Sequence, residues 1–276
     1  MHCCLSLGLL ICLTFSCGQI QNQETQSGDA GNSSADLDEA LSELIEQWKT
    51  QYQESQGTSA EFFRRTYDNA FSIECLVKGK MTWVSPDTWS IETEPVEITP
   101  AMKTAREAPD ARVKRSRNGK PYDLTSDSDP SSFSFDGIVL IVNQGMENET
   151  HINVPKVNAR PTEYSWLTRM CDTMILQFGD RPPVLLFASP ELILERCKLT
   201  LAEEWSPGDA QARMKVRPLT DEQAASWRSA DVILDTQAWK PLHVKIVCPS
   251  GNEEYVHSFR DWAEVSAKDD PKPNNQ

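Results

Sequence analysis

Few side chains in this 276-residue chain could do chemistry. Eight cysteines stand at positions 3, 4, 12, 17, 75, 171, 197 and 248, and the histidines beyond residue 2 are His151, His243 and His257. Cys75, Cys171, Cys197 and Cys248 are widely spaced, with no Cys-x-x-Cys and no histidine pair nearby, so no metal site is expected. The nucleophile elbow, the phosphate loop, the dinucleotide turn and the HExxH zinc motif are all missing, and no cofactor is expected. Each histidine sits in an expected strand or turn without a serine or cysteine placed as a partner nucleophile. The adjacent carboxylates Glu203-Glu204 and Asp269-Asp270 do not converge as an acid–base pair. The sequence therefore offers no catalytic residue and reads as a binding protein, not an enzyme. In an oxidising compartment the four cysteines allow three pairings, and buried thiols fit as well as disulfides.

The remaining chemistry lies at Cys17. Residues 5–16, LSLGLLICLTFS, form an uncharged apolar run of signal-peptide length, too short to span a bilayer. It ends at Ser16-Cys17-Gly18, and small residues flanking a cysteine are similar to the bacterial lipobox, in which the cysteine is lipidated as the signal is cleaved. Phe15 and Thr14 depart from that motif, so plain secretion stays open as the alternative. Either way the chain is expected in the cell envelope, on the periplasmic side, with Cys17 as its lipid anchor in the first case. Residues 18–36 are rich in Gln, Ser, Asn and Gly and cannot bury enough apolar surface to offset chain entropy, which predicts a flexible linker. Residues 266–276 read as a polar tail, leaving one domain over residues 37–265. A net charge of -14 argues against nucleic acid as a partner. The basic cluster Arg112, Lys114, Arg115, Arg117 and Lys120 reads as a solvated loop, with an anionic-lipid contact as the alternative.

The domain should open with a helix. Leu37, Leu41, Leu44, Ile45, Trp48 and Tyr52 share one face at a 3.6-residue period, and Asp36 with Glu39 supplies a capping-box-like start. Strands follow. Phe71, Ile73, Cys75 and Val77 alternate with polar residues up to Gly79, and 80–84 and 88–94 flank the Ser85-Pro86-Asp87 turn. Residues 133–142 read as one apolar strand interrupted at Asp136-Gly137, with 150–154 able to pair with it. Further strands are expected at 196–205, 211–217, 230–235, 242–248 and 254–259, and helices around 164–174, from Ser189-Pro190, and after Thr220. The predicted fold class is α+β: a half-closed antiparallel barrel wrapped around helices.

Trp83, Trp89, Phe133 and Phe135 fall on the early strands, and Leu185, Leu186 and Phe187 precede the Ser189 helix start. Core packing explains such residues, and so does a concave apolar cavity for an acyl chain. A cavity lined by Trp83, Trp89, Phe135, Ile138, Leu140 and Leu186 is the candidate ligand site.

These pieces occur in a recognisable order. An N-terminal amphipathic helix leads to EFFRRTYDNAF, the hairpin CLVKGKMTWVSPDTWSIE, FDGIVLIVN, LLFASPELILERCKLTL, ARMKVRP and the hairpin SADVILDTQAWKPLHVKIVCPSGNEEYVHSF. Over about residues 37–262 this resembles the planctomycete-type branch of the lipoprotein carrier (LolA/LolB/RseB-like) superfamily. The Trp-Lys-Pro-Leu and Pro-Ser-Gly-Asn turns stand where that family shows its "flP" and "pNG" turns. The resemblance implies a strongly curved antiparallel sheet with helices closing its concave side, and an apolar interior that in carriers accepts a lipid or lipoprotein acyl chain. Carriers commonly show an Arg shortly after the first hairpin's proline, whereas here Pro86 is followed by Asp87, Thr88, Trp89 and Ser90. That departure, and a membrane tether, suit an anchored acceptor better than a shuttle. A protein-interaction or envelope-sensing module on the same scaffold, with an envelope protein as partner, is the second reading.

Overall fold

The computed structural model describes residues 34–54, 57–85, 88–108, 110–126, 130–135, 139–144, 148–153, 190–225 and 227–265. They fall within one compact unit that begins at Ser34. Its first element, α1 (Ser34–Glu54), buries Leu44, Ile45 and Trp48, the stripe read from the sequence. The helix starts before Asp36, which therefore lies inside it instead of at its cap.

Among the described residues twelve strands form one sheet: β1 (Gly57–Asp68), β2 (Ile73–Ser85), β3 (Thr88–Pro95), β4 (Asp123–Ser126), β5 (Ser131–Phe135), β6 (Val139–Gln144), β7 (Asn148–Asn153), β8 (Cys197–Leu201), β9 (Gln211–Pro218), β10 (Ser229–Asp235), β11 (Lys240–Val247) and β12 (Glu253–Val265). Eleven of them follow the order β7-β6-β5-β3-β2-β1-β12-β11-β10-β9-β8, each antiparallel to its neighbour, and the path does not close on itself. This is the half-closed, curved antiparallel sheet expected from the sequence. The interrupted strand at 133–142 is in fact the hairpin β5–β6, in register from Phe135↔Leu140 to Ser131↔Gln144.

Two corrections concern the centre of the sheet. β2 runs straight through Gly79, where the sequence pattern stops. An ideal Cβ at Gly79 would lie 2.4 Å from Phe62 Cζ and 2.5 Å from the Glu92 carbonyl oxygen, so glycine here makes room for a ring and not for a turn. β1 escapes the alternation test because its inward positions, Ala60, Phe62 and Arg64, include a charge, while Phe63 faces outward.

Between β3 and β5 the chain makes an excursion. Thr99 caps α2 (Pro100–Glu107) by accepting the Met102 N–H, with Pro100 in the first turn. The chain then lays β4 parallel to the first four residues of β2, Ile73 to Leu76, while β3 pairs with its remainder on the same flank. The excursion covers Glu74, which is 1% exposed and meets Arg106 at 2.5 Å and Arg65 at 3.8 Å. Lys114, from the basic cluster read as solvated, reaches Glu254 at 2.8 Å and stands 4.8 Å above the Tyr67 ring. Among the described residues two further short helices are α3 (Pro190–Arg196) and α4 (Asp221–Ala224), α1 packs on α3 and β8, and the helix expected around 164–174 lies outside the described residues.

Candidate functional site

Register fixes which residues share the buried face of the sheet, since partners directly opposite each other project to the same side. At one end Trp83 pairs with Trp89, and the backbone register continues from Trp89 to Phe135 and from Phe135 to Leu140, so four of the six expected positions stand on one register line across β2, β3, β5 and β6. Trp83 is 8% exposed and Trp89 1%. Ile138 and Leu186, like the expected anchor Cys17, lie outside the described residues. A second row joins Ala60, Met81, Ile91 and Phe133, all buried.

The same end of the sheet gathers more tryptophan. Trp205 in the β8–β9 connection is a member of the same buried cluster, and Trp239 of the β10–β11 turn and Trp262 of β12 pack against it. Trp239 has a positive φ of 55°, and the Trp262 ring lies 5.7 Å from that of Phe259, tilted by 35°. Lys240 places its ammonium 5.9 Å from the Trp262 ring, and burial lowers its pKa despite the raising effect of Glu264. Sequence spacing did not gather these side chains, because they come from turns far apart in the chain and only the meander order brings their ends together.

A third row carries two buried ionisable side chains. Val77, Arg64, His257, Val244, Val232 and Met214 stand opposite one another across six strands. Arg64 is 7% exposed and His257 1%. The His257 ring sits 5.9 Å from Phe62 and 6.1 Å from Phe259, nearly parallel to the latter. Burial, then the Arg64 cation, pushes its pKa down to about 3, so the ring is neutral at ordinary pH. Its Nδ1 has no hydrogen-bond partner among the described residues. The alternation of Tyr255, His257 and Phe259 in β12 is the signal in the sequence that places this histidine in the interior.

Cys75, Cys197 and Cys248 are not joined in disulfides, and Cys171 lies outside the described residues. Burial pushes the Cys197 thiol up to about 11, the nearby Arg196 opposing, which makes it unreactive. Among the described residues no three His, Cys, Asp or Glu side chains come together so as to hold a metal ion.

The class defined by this architecture is an open antiparallel half-barrel with an apolar, aromatic-rich concave face. No protein-family model matches the chain, and no curated protein matches it in sequence. Solved structures that align with it include a LolA superfamily protein from Nitrosomonas europaea, at 8% identity over 84% of this chain and 97% of that one, TM-score 0.32. The Mycobacterium tuberculosis lipoprotein LppX aligns at 10% identity over 82% of this chain and 97% of its own, TM-score 0.37. The MucA/MucB complex of Pseudomonas aeruginosa aligns at 10% identity over 84% of this chain and 60% of that one, TM-score 0.34.

Proposed function

We propose that this chain is an exported cell-envelope protein, anchored through Cys17, that holds one acyl chain of a lipid or lipoprotein along the concave face of its half-barrel. The observation that carries this reading is the continuity of the apolar lining from the tryptophan end to the Arg64–His257 row. On β1 those two rows are marked by Thr58 and Arg64, and six residues at about 3.3 Å each separate them by roughly 20 Å. One leaflet of a bilayer's hydrocarbon core is about 15 Å deep, so the lining is long enough for a single chain. Each buried methylene would contribute about 0.8 kcal/mol, and ten of them would outweigh much of the cost of association.

A second reading, a protein-interaction or envelope-sensing module, draws on the packing. Trp89, Phe62, Leu44 and Met214 are all less than 2% exposed, so the interior is filled by the protein's own side chains and a ligand must displace some of them. Native mass spectrometry of protein purified from its own envelope separates the two. Retained lipid mass is expected on the first reading. Lipid-free protein whose tryptophan fluorescence does not respond to added palmitate would leave the second.

A further inference from the structure

A single exposed apolar side chain needs no explanation, but one presented on a tied-down turn beside a basic patch does. Phe71, in the turn between β1 and β2, is 76% exposed. The turn that carries it is fixed by hydrogen bonds. Asp68 Oδ1 accepts the Ala70 and Phe71 N–H groups, Asn69 donates to the Asn252 and Gly251 carbonyls, and Ser72 turns the chain at a φ of 58°. The excursion through α2 and β4 lies against the same turn: the Tyr122 hydroxyl donates to Asn69 Oδ1, and the Asp123 N–H to the Ser72 carbonyl.

That excursion is basic in an acidic protein. Residues 100–120 hold seven lysines and arginines against two acidic residues, in a chain of net charge -14. Arg106 and Lys114 pair with Glu74 and Glu254 and fasten the excursion to the sheet. Arg115 ties the loop to itself by donating to the Gly119 and Ala108 carbonyls. Lys103, Arg112, Arg117 and Lys120 are exposed, with no acidic partner among the described residues. Since α2 buries none of its own residues, core packing does not account for the insertion.

We infer that the β1–β2 turn and the basic excursion form one contact surface for a bilayer that contains anionic phospholipid. The Phe71 ring enters the head-group layer while the unpaired cations meet lipid phosphates. Each Lys or Arg near such a surface strengthens binding by about fivefold, so four of them give on the order of several hundredfold. Without this patch an acidic chain would be repelled by an anionic bilayer. That a bilayer lies within reach rests on the anchored-envelope reading above; the surface orients a tethered domain and does not replace the tether, since stable anchoring takes two signals. The surface stands at the Asp68 end of β1, whereas Trp83 lies opposite Thr58 at the other end, so docking there leaves the tryptophan end clear.

The test is vesicle flotation of the chain from residue 17 onward carrying Cys17→Ser, which bears no lipid. Binding is expected to vesicles of phosphatidylcholine and phosphatidylglycerol in equal parts, to fall by about tenfold or more on phosphatidylcholine alone, and to weaken as salt is raised. The triple variant Arg112→Gln, Arg117→Gln, Lys120→Gln is expected to lose about a hundredfold in affinity for the mixed vesicles, at about fivefold per charge. Phe71→Ser is expected to lose about tenfold while keeping the salt dependence. All four side chains are exposed, so these variants keep the fold. No binding to the mixed vesicles, or binding that the triple variant retains in full, would overturn the surface. Equal binding to both kinds of vesicle would assign the contact to uptake of acyl chains and overturn it as well. The anchor is decided by fractionation in cells and the acyl chain by native mass spectrometry, so each reading can fail alone.

Discussion

Burial holds the His257 imidazolium far below its ordinary value, to about 3, and the Arg64 cation beside it pushes in the same direction. In the unfolded chain the same ring takes up a proton near pH 6.5. Its contribution to stability is therefore complete above that pH and is lost as pH falls toward 3, at about 1.4 kcal/mol per pH unit. His243 is also lowered, by burial and then by Arg65, so the measurement is the difference between wild type and His257→Phe in denaturant melts between pH 6.5 and 5. A shallower slope is expected for the variant. Glu254 acts in a different window. Burial works against its ionisation, but hydrogen bonds from Lys114 and Lys245 win and hold it below the usual carboxylate range, so its share is lost only as pH falls through that lowered value. Gly79 gives a second test at this scale. A methyl group there would collide with the Phe62 ring and a backbone oxygen, so Gly79→Ala is expected to cost about 1–3 kcal/mol in chemical unfolding.

The excursion through α2 and β4 is held to β2 by the buried Glu74–Arg106 pair, with Arg106 also donating to the Tyr122 carbonyl. Arg106→Ala would leave a carboxylate buried with only the half-exposed Arg65 at 3.8 Å, and a loss of about 3 kcal/mol in unfolding free energy is expected. A similar loss for Arg65→Ala would show that the pairing was assigned to the wrong arginine. The sequence reveals α1 and the strands from β8 to β12 because their apolar residues keep a strict period, as in Ala212, Met214 and Val216 of β9. It hides β1 and the run of β2 through Gly79, where a buried charge and a missing side chain break the alternation. It hides α2 as well, since that helix buries no residue and carries no apolar stripe. Only its Thr99-Pro100 start is visible, and that signal is a local one. The Trp83–Trp89–Phe135–Leu140 row follows from strand order once the hairpins are known. The Arg64–His257 pairing joins residues almost two hundred positions apart, which no local pattern can join.

At the scale of the whole molecule, export and tethering rest on the first seventeen residues. Cys17→Ser is expected to move the protein from the membrane fraction to the soluble periplasmic fraction, and unchanged fractionation would remove the anchor from the proposal. The open curved sheet implied by the resemblance to the carrier superfamily is the sheet observed, so the scaffold was legible even though its ligand was not. One property of that scaffold bears on how such a chain comes to be folded at all. The strand at the middle of the sheet, β1, is bonded to β12 along eleven residue pairs from Gly57↔Val265 to Asp68↔Glu253. The first strand thus waits for the last, and of the described strands no more than seven, β1 to β7, can assemble into one sheet until the final residues of the domain have emerged. Pairings so distant in sequence form slowly, because the loop entropy comes before the reward. During that interval the β1-to-β7 and β8-to-β11 segments each expose a raw inner edge, the kind of edge on which chains aggregate. On the export reading proposed above the delay is useful, since a chain that cannot complete its sheet before its C-terminus is free is easier to thread through a membrane. The same delay makes the C-terminal strand indispensable: truncation before Glu253 would leave two half-sheets with nothing to join them.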